Sequence, residues 1–196
     1  MILSKKDLKM YIEADQRSLG GITFKEKIAS LLIPSIWRFE KKMRVLEYYT
    51  NCRSDLLGKF IRMVKRVEYE KYSRKLGFSI PINVFGPGLC ICHIGNIIIN
   101  KNVRIGANSR IHVGVNIGNL SRFGVDWTPD NVPTIGNNVY IGPGAKIFGR
   151  INIGNDVAIG ANAVVTKDVE DHTTVVGVPA KVLNREGSEG LIIKGY

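Results

Sequence analysis

The stretch INKNVRIGANSRIHVGVNIGNLSRFGVDWTPDNVPTIGNNVYIGPGAKIFGRINIGNDVAIGANAVV, Ile99 to Val165, decides how this chain folds. Ten aliphatic residues recur in it at six-residue spacing: Ile99, Ile105, Ile111 and Ile117, then Ile135, Ile141, Ile147, Ile153, Ile159 and Val165. A second column precedes the first by two residues, at Ile97, Val103, Val115, Val139, Ala145, Ile151, Val157 and Ala163. Glycine follows the first column at Gly106, Gly118, Gly136, Gly142, Gly154 and Gly160, where a corner leaves no room for a Cβ or needs a positive φ. A repeat this short cannot hold a helical hairpin. It predicts a solenoid of short strands whose rungs stack like upon like. An antiparallel sheet would need all ten positions to fall in phase by chance. The pattern does not fix handedness, since parallel crossovers are right-handed by default.

Outward from this core, residues 118–134 interrupt the repeat without shifting its phase. They read as a loop ejected from the solenoid, the kind of segment that serves a site or a subunit contact. Upstream, Phe85, Ile91, Ile97 and Val103 continue one column, and His93 takes the phase of the other. Downstream, residues 166–182 read as a closing rung and residues 184–196 as a capping or flexible tail. Before Gly77 the pattern is helical, with apolar faces over residues 4–18, 24–32, 35–50 and 54–74. In the last of these, Leu56, Leu57, Phe60, Ile61, Val64 and Val67 are expected in a core. The division predicted is a helical subdomain over 1–76, a solenoid over 77–183 and a tail over 184–196.

The chain of 196 residues carries a net charge of +11, placed unevenly. Residues 1–76 hold 18 Lys and Arg against 9 Asp and Glu, a net of +9. A basic appendage on a near-neutral body suits an anionic ligand or surface, and peripheral membrane contact is one use of such helices. No nucleic-acid-binding motif accompanies the charge. Neither a membrane-spanning apolar run nor a secretion signal is visible, so a cytoplasmic location is expected. Cys52, Cys90 and Cys92 cannot form a disulfide framework, and Cys90 and Cys92 lack further ligands at metal spacing. They are expected as reduced small hydrophobes, and no metal is expected.

Three motifs are specific. Ile141-Gly-Pro-Gly-Ala-Lys-Ile-Phe-Gly149 and Ile159-Gly-Ala-Asn-Ala-Val-Val-Thr-Lys-Asp-Val169 are followed by Gly177-Val-Pro-Ala-Lys-Val182. With His93-Ile-Gly-Asn-Ile-Ile-Ile99 they resemble the hexapeptide-repeat acetyltransferases, on the serine acetyltransferase branch. The resemblance implies a mainly β fold, a left-handed parallel β-helix of hexapeptide repeats behind an α-helical N-terminal subdomain. It also implies a homotrimer, with trimers able to pair, and acetyl-CoA in the groove between neighbouring β-helices. His93 matches the family's general base. Gly142, Pro143, Gly160 and Ala161 match the rungs along which the pantetheine arm lies, where backbone amides are expected to bond it. Lys167 and Lys181 match basic positions that meet the nucleotide phosphates. His112, beside Ile111, is a second candidate in the same groove, with a polar structural role as the other reading. His172 matches a structural histidine of the closing rung.

The chain also departs from that family. Where the family has an aspartate before the histidine and another about fifteen residues upstream, this chain has Cys92 and Phe78. Val132 stands where the family has a second site histidine. Asp126 or Asp130, from a neighbouring chain's loop, would then have to orient His93. These departures point from a free amino acid toward a sugar hydroxyl, as in members that act in surface polysaccharide synthesis, with a glycan or small molecule as acceptor. Serine O-acetylation in cysteine synthesis is the alternative, and a non-catalytic trimeric scaffold is a third reading.

Overall fold

Four helices form first along the chain, and each begins at a side chain that satisfies its free N–H groups. Ser4 accepts from Asp7 to start α1 (Lys5–Ser18). Thr23 and Glu26 form a reciprocal capping box on α2 (Phe24–Leu32). Ser35 caps α3 (Ile36–Cys52), and Asp55 caps α4 (Leu56–Leu76). Gly77 stops α4 in the left-handed region at φ 77°, a conformation that suits glycine. The structure is a computed structural model and describes residues 1–120 and 128–196, apart from the side chains of Lys27 and Leu31.

Beyond Gly77 the chain coils through three sheets in turn. One holds β1 (Phe78–Ser79), β3 (Ile97–Ile99), β6 (Asn116–Gly118), β9 (Lys146–Phe148) and β12 (Val164–Val165). The second holds β4 (Arg104–Ile105), β7 (Thr134–Ile135) and β10 (Asn152–Ile153). The third holds β2 (Cys90–Ile91), β5 (Arg110–Ile111), β8 (Tyr140–Ile141), β11 (Ala158–Ile159), β13 (Thr174–Val176) and β14 (Lys181–Asn184). Every pairing is parallel except β13 with β14, which turns back and closes the last rung. The predicted columns stack directly: Ile99 on Ile117 on Ile147 on Val165, and Ile111 on Ile141 on Ile159. All of these side chains are buried in one continuous core. The ejected loop leaves after β6 and returns at β7, where Ile135 pairs with Ile105.

The helices cap the open first rung. An edge strand leaves N–H and C=O groups without partners, and here side chains supply them. Asp15 of α1 accepts from Gly88 and Leu89, each at 2.9 Å. Glu40 of α3 accepts from Ile91 at 3.1 Å, and Glu47 accepts from Asn83 at 2.7 Å. Arg44 donates to the carbonyls of Phe85 and Gly86. Phe39, Met43, Leu46, Tyr69 and Leu76 join the same core as the rungs. Part of α4 differs from the expectation: Leu56, Leu57, Phe60, Val64 and Val67 are exposed, and the helix buries Gly58, Tyr69, Ser73 and Leu76 instead.

The tail also has a seat. Asn108, Asn138 and Asp156 stand in the left-handed region at one corner of successive rungs, with their side chains bonded in a ladder. His172 holds the same conformation. Along that corner Ser188 donates to the carbonyl of Asn138, Gly195 and Tyr196 donate to the side chain of Asn108, and Arg17 donates to the carbonyl of Gly195.

Candidate active site

His93 stands where the rung makes a detour. Ile91 pairs with Ile111, 20 positions on, while Ile98 pairs with Asn116, 18 positions on. The first rung therefore carries two extra residues at this corner. They push His93 and Ile94 out of the prism, and both are exposed. The aliphatic slot that the six-residue count assigned to His93 is corrected by this slip. For the same reason Phe85 stacks on Ile105, and Ile91 on Ile111, instead of continuing the column of Ile97.

The His93 ring lies 5.8 Å from the ring of His112, which in turn packs edge-on against Tyr140 at 5.2 Å. His112 follows β5 on the next rung, so the groove that receives His93 also receives His112. Burial lowers the pKa of His112, and the charges of Arg110 and His93 push the same way, against the opposing pull of Cys92. His112 is therefore neutral at physiological pH, and its ring presents one donor and one acceptor.

Cys92, which replaces the family's aspartate, is not a passive hydrophobe. Its Sγ receives the Arg110 Nε–H at 3.2 Å and lies 3.4 Å from His112 Nε2. Interaction with Cys90 brings the Cys92 thiol down to about 5, with Arg110 assisting against the cost of burial. Sequence reasoning missed Cys92, Arg110 and Tyr140 as site residues. The signal lay in the 20-residue register, which stacks Cys90 on Arg110 on Tyr140.

The two aspartates do not reach the histidines within one chain. Asp126 lies outside the described residues. Asp130 is exposed on the turn that precedes Val132. Among the described residues no carboxylate hydrogen-bonds to His93 or His112. Val132 is buried in the hydrophobic core, which accounts for an aliphatic residue there. Among the described residues no group of three His, Cys, Asp or Glu side chains could hold a metal ion.

The expected donor site forms a line down one corner. His112, Gly142 and Gly160 follow the paired strands β5, β8 and β11, and Val176 ends β13, so the four stack in order. Three strand spacings of about 4.8 Å separate His112 from Val176, about 14 Å in all. Gly142 cannot carry a side chain there, since a Cβ would lie 2.8 Å from the carbonyl oxygen of Ile159. The amides expected to bond the arm are engaged elsewhere. Gly142 donates to Ile159 and Gly160 to Val175 within the sheet. Pro143 has no N–H, and Ala161 is exposed at the corner. At the far end Lys167 and Lys181 line one cavity of about 380 Å³ with Arg185. Arg185 pairs with Glu170, whereas among the described residues neither lysine has an ion-pair partner.

Two family models match the repeats: bacterial transferase hexapeptide (six repeats) over residues 133–167, and the hexapeptide repeat of succinyl-transferase over residues 96–122. A serine acetyltransferase of Synechococcus elongatus is 31% identical over 151 residues, 77% of this chain and 53% of the relative. One from Helicobacter pylori is 40% identical over 101 residues, 52% of this chain and 57% of the relative. The chain carries hexapeptide repeats and is similar to the serine acetyltransferase branch of the hexapeptide-repeat acetyltransferases. Solved serine acetyltransferases agree. That of Neisseria gonorrhoeae matches at TM-score 0.69 and 26% identity, covering 93% of this chain and 68% of its own. The soybean enzyme matches at TM-score 0.69 and 26% identity, covering 91% and 70%. Both of these enzymes have also been solved with serine. The fold is thus the left-handed parallel β-helix of this family, behind N-terminal helices. The chain spans about half the length of the curated relatives it matches.

These relatives correct one expectation. The departures at Cys92, Phe78 and Val132 pointed to a sugar hydroxyl of surface polysaccharide synthesis, but the matching proteins, at 31% to 40% identity, are serine acetyltransferases. Where the family has a carboxylate before the histidine, this chain has a sulfur that is held by Arg110 and meets His112.

Proposed function

We propose that the chain is an acetyl-CoA-dependent O-acetyltransferase whose acceptor is the hydroxyl of L-serine. The observation that carries the reading is an exposed His93 whose ring stands 5.8 Å from a neutral second histidine, on the fold of the serine acetyltransferases. In this reading His93 takes the proton of the serine hydroxyl as its oxygen attacks the thioester carbonyl. His93 then returns that proton to the departing sulfur. His112 lines the acceptor side of the groove. The corner at Gly142, Pro143, Gly160 and Ala161 holds the pantetheine arm, with the Ala161 N–H as donor. Lys167 and Lys181 meet the phosphates as point charges, and the run of about 14 Å between His112 and Val176 suits an extended arm.

The reading includes a homotrimer, since a groove needs two walls and one prism supplies one. The open apolar face of α4 is the surface available for pairing trimers. It also takes residues 1–76, 77–183 and 184–196 as helical cap, catalytic β-helix and tail. No described helix is long and apolar enough to cross a membrane, and a cytoplasmic site of action fits the use of acetyl-CoA. Thiol release from acetyl-CoA, followed with and without L-serine, tests the acceptor. Serine-dependent release supports the reading. Acetyl-CoA binding without turnover on serine rejects serine as acceptor, and failure to bind acetyl-CoA would leave a trimeric scaffold.

A further inference from the structure

We propose that Cys92 is a positioning residue of this site, a thiolate that accepts the Nε2–H of His112 and so fixes that ring's tautomer. The inference rests on the serine acetyltransferase reading for its catalytic consequence, but not for its geometry. Arg110 Nε can only donate, and it points at Cys92 Sγ from 3.2 Å. A guanidinium hydrogen bond onto sulfur favours the thiolate. A thiolate has no proton to give, so the Nε2 of His112, 3.4 Å away, must be the donor. His112 is neutral, and its Nδ1 is then left bare as an acceptor. An acceptor beside the His93 ring suits the ammonium of an amino acid.

The surroundings support this arrangement. Cys90 precedes Cys92 by two residues on the same rung, and Arg110 and His112 face the sulfur from the next rung. Glu40 of α3, whose carboxyl pKa is raised by burial, and Tyr140 and His93 beside His112 are the other ionisable neighbours. Arg110 is itself anchored, since its Nη1 donates to the carbonyl of Leu191 in the tail at 2.9 Å. The thiols of Cys52 and Cys90 shift upward instead, so Cys92 alone is set apart.

Two readouts that need no turnover test this. Alkylation by iodoacetamide, mapped to each cysteine by peptide mass spectrometry across pH, should show Cys92 reacting with a midpoint well below that of an ordinary thiol, while Cys52 and Cys90 react only in alkaline solution. Arg110→Gln should move the Cys92 midpoint upward. The chain has three histidines, so ring nitrogen-15 labelling resolves His112, which should show the Nε2–H tautomer in wild type and a mixture in Cys92→Ala. Cys92→Asp should restore the single tautomer and recover serine acetylation that Cys92→Ala loses in kcat. A Cys92 midpoint near 8.5, the value of an ordinary thiol, would overturn the proposal. So would a His112 tautomer indifferent to Cys92→Ala. Wild type inactive on serine, with both readouts as expected, would sink the acceptor assignment and leave Cys92 standing.

Discussion

Arg44 Nε donates to Asp15 Oδ2 at 2.8 Å, and both side chains are sealed from solvent. The pair joins α1 to α3 and ties both to the β-helix, because the same guanidinium reaches Glu47 and the carbonyls of Phe85 and Gly86. Burial alone would loosen the Arg44 proton, but Asp15 and Glu47 outweigh that and hold it more tightly than usual. Replacing one member of such a group leaves the others buried and unanswered. Arg44→Met should lower stability by about 3–5 kcal/mol, read from urea denaturation. A loss below about 1 kcal/mol would show that the joint does not hold the helices to the first rung.

Glu40 makes the stability of this joint depend on pH. Burial raises its carboxyl well above the usual range, Asp15 adds to the rise, and the Ile91 N–H and Arg44 oppose it. The folded state therefore keeps a proton that the unfolded state releases above about pH 4.3, and this contribution to stability falls as pH rises. Cys92 acts in the opposite sense, since its lowered thiol makes folding more favourable as pH rises. The difference between Glu40→Gln and wild type isolates Glu40. That difference, from urea midpoints at pH 4.5, 6 and 8, should grow in favour of the glutamine variant, and a flat difference would refute the assignment.

Gly136 tests how closely the rungs stack. A Cβ there would lie 2.6 Å from the carbonyl oxygen of Gly154 and 2.8 Å from the side chain of Asn155 on the next rung. Backbone on both sides cannot give way cheaply. Gly136→Ala should cost about 1–3 kcal/mol, as overpacking does. For a chain of this size that is a fall in Tm of roughly 2–4 °C per kcal/mol. An unchanged Tm would mean the corner is looser than the parallel register implies.

Much of this was legible in sequence, and the failures share a cause. The columns from Ile99 to Val165 stack as their spacing foretold, because each rung turns the same three corners. The slip between Ile91 and Ile97 was hidden, because a count of six follows residues and not the path of the chain. Two residues bulging at a corner leave the next rung in place, yet they decide that His93 faces out. The cluster of Cys92, Arg110 and His112 depends on the same 20-residue register and was hidden with it. The resemblance and the small residues suggest that the amides of Gly142 and Gly160 bond a ligand, whereas the parallel ladder already uses them. In α4, Phe60 and Val64 have helical apolar spacing, but spacing names a face without saying what covers it.

The central claim is that one imidazole, pushed out of the prism by a two-residue detour, removes the acceptor's proton. The most direct measurement is the kcat of L-serine-dependent thiol release from acetyl-CoA by His93→Ala, in protein shown to keep the wild-type Tm. The account predicts a fall of about 10²–10⁴-fold with acetyl-CoA binding retained. A kcat within a few-fold of wild type would contradict it.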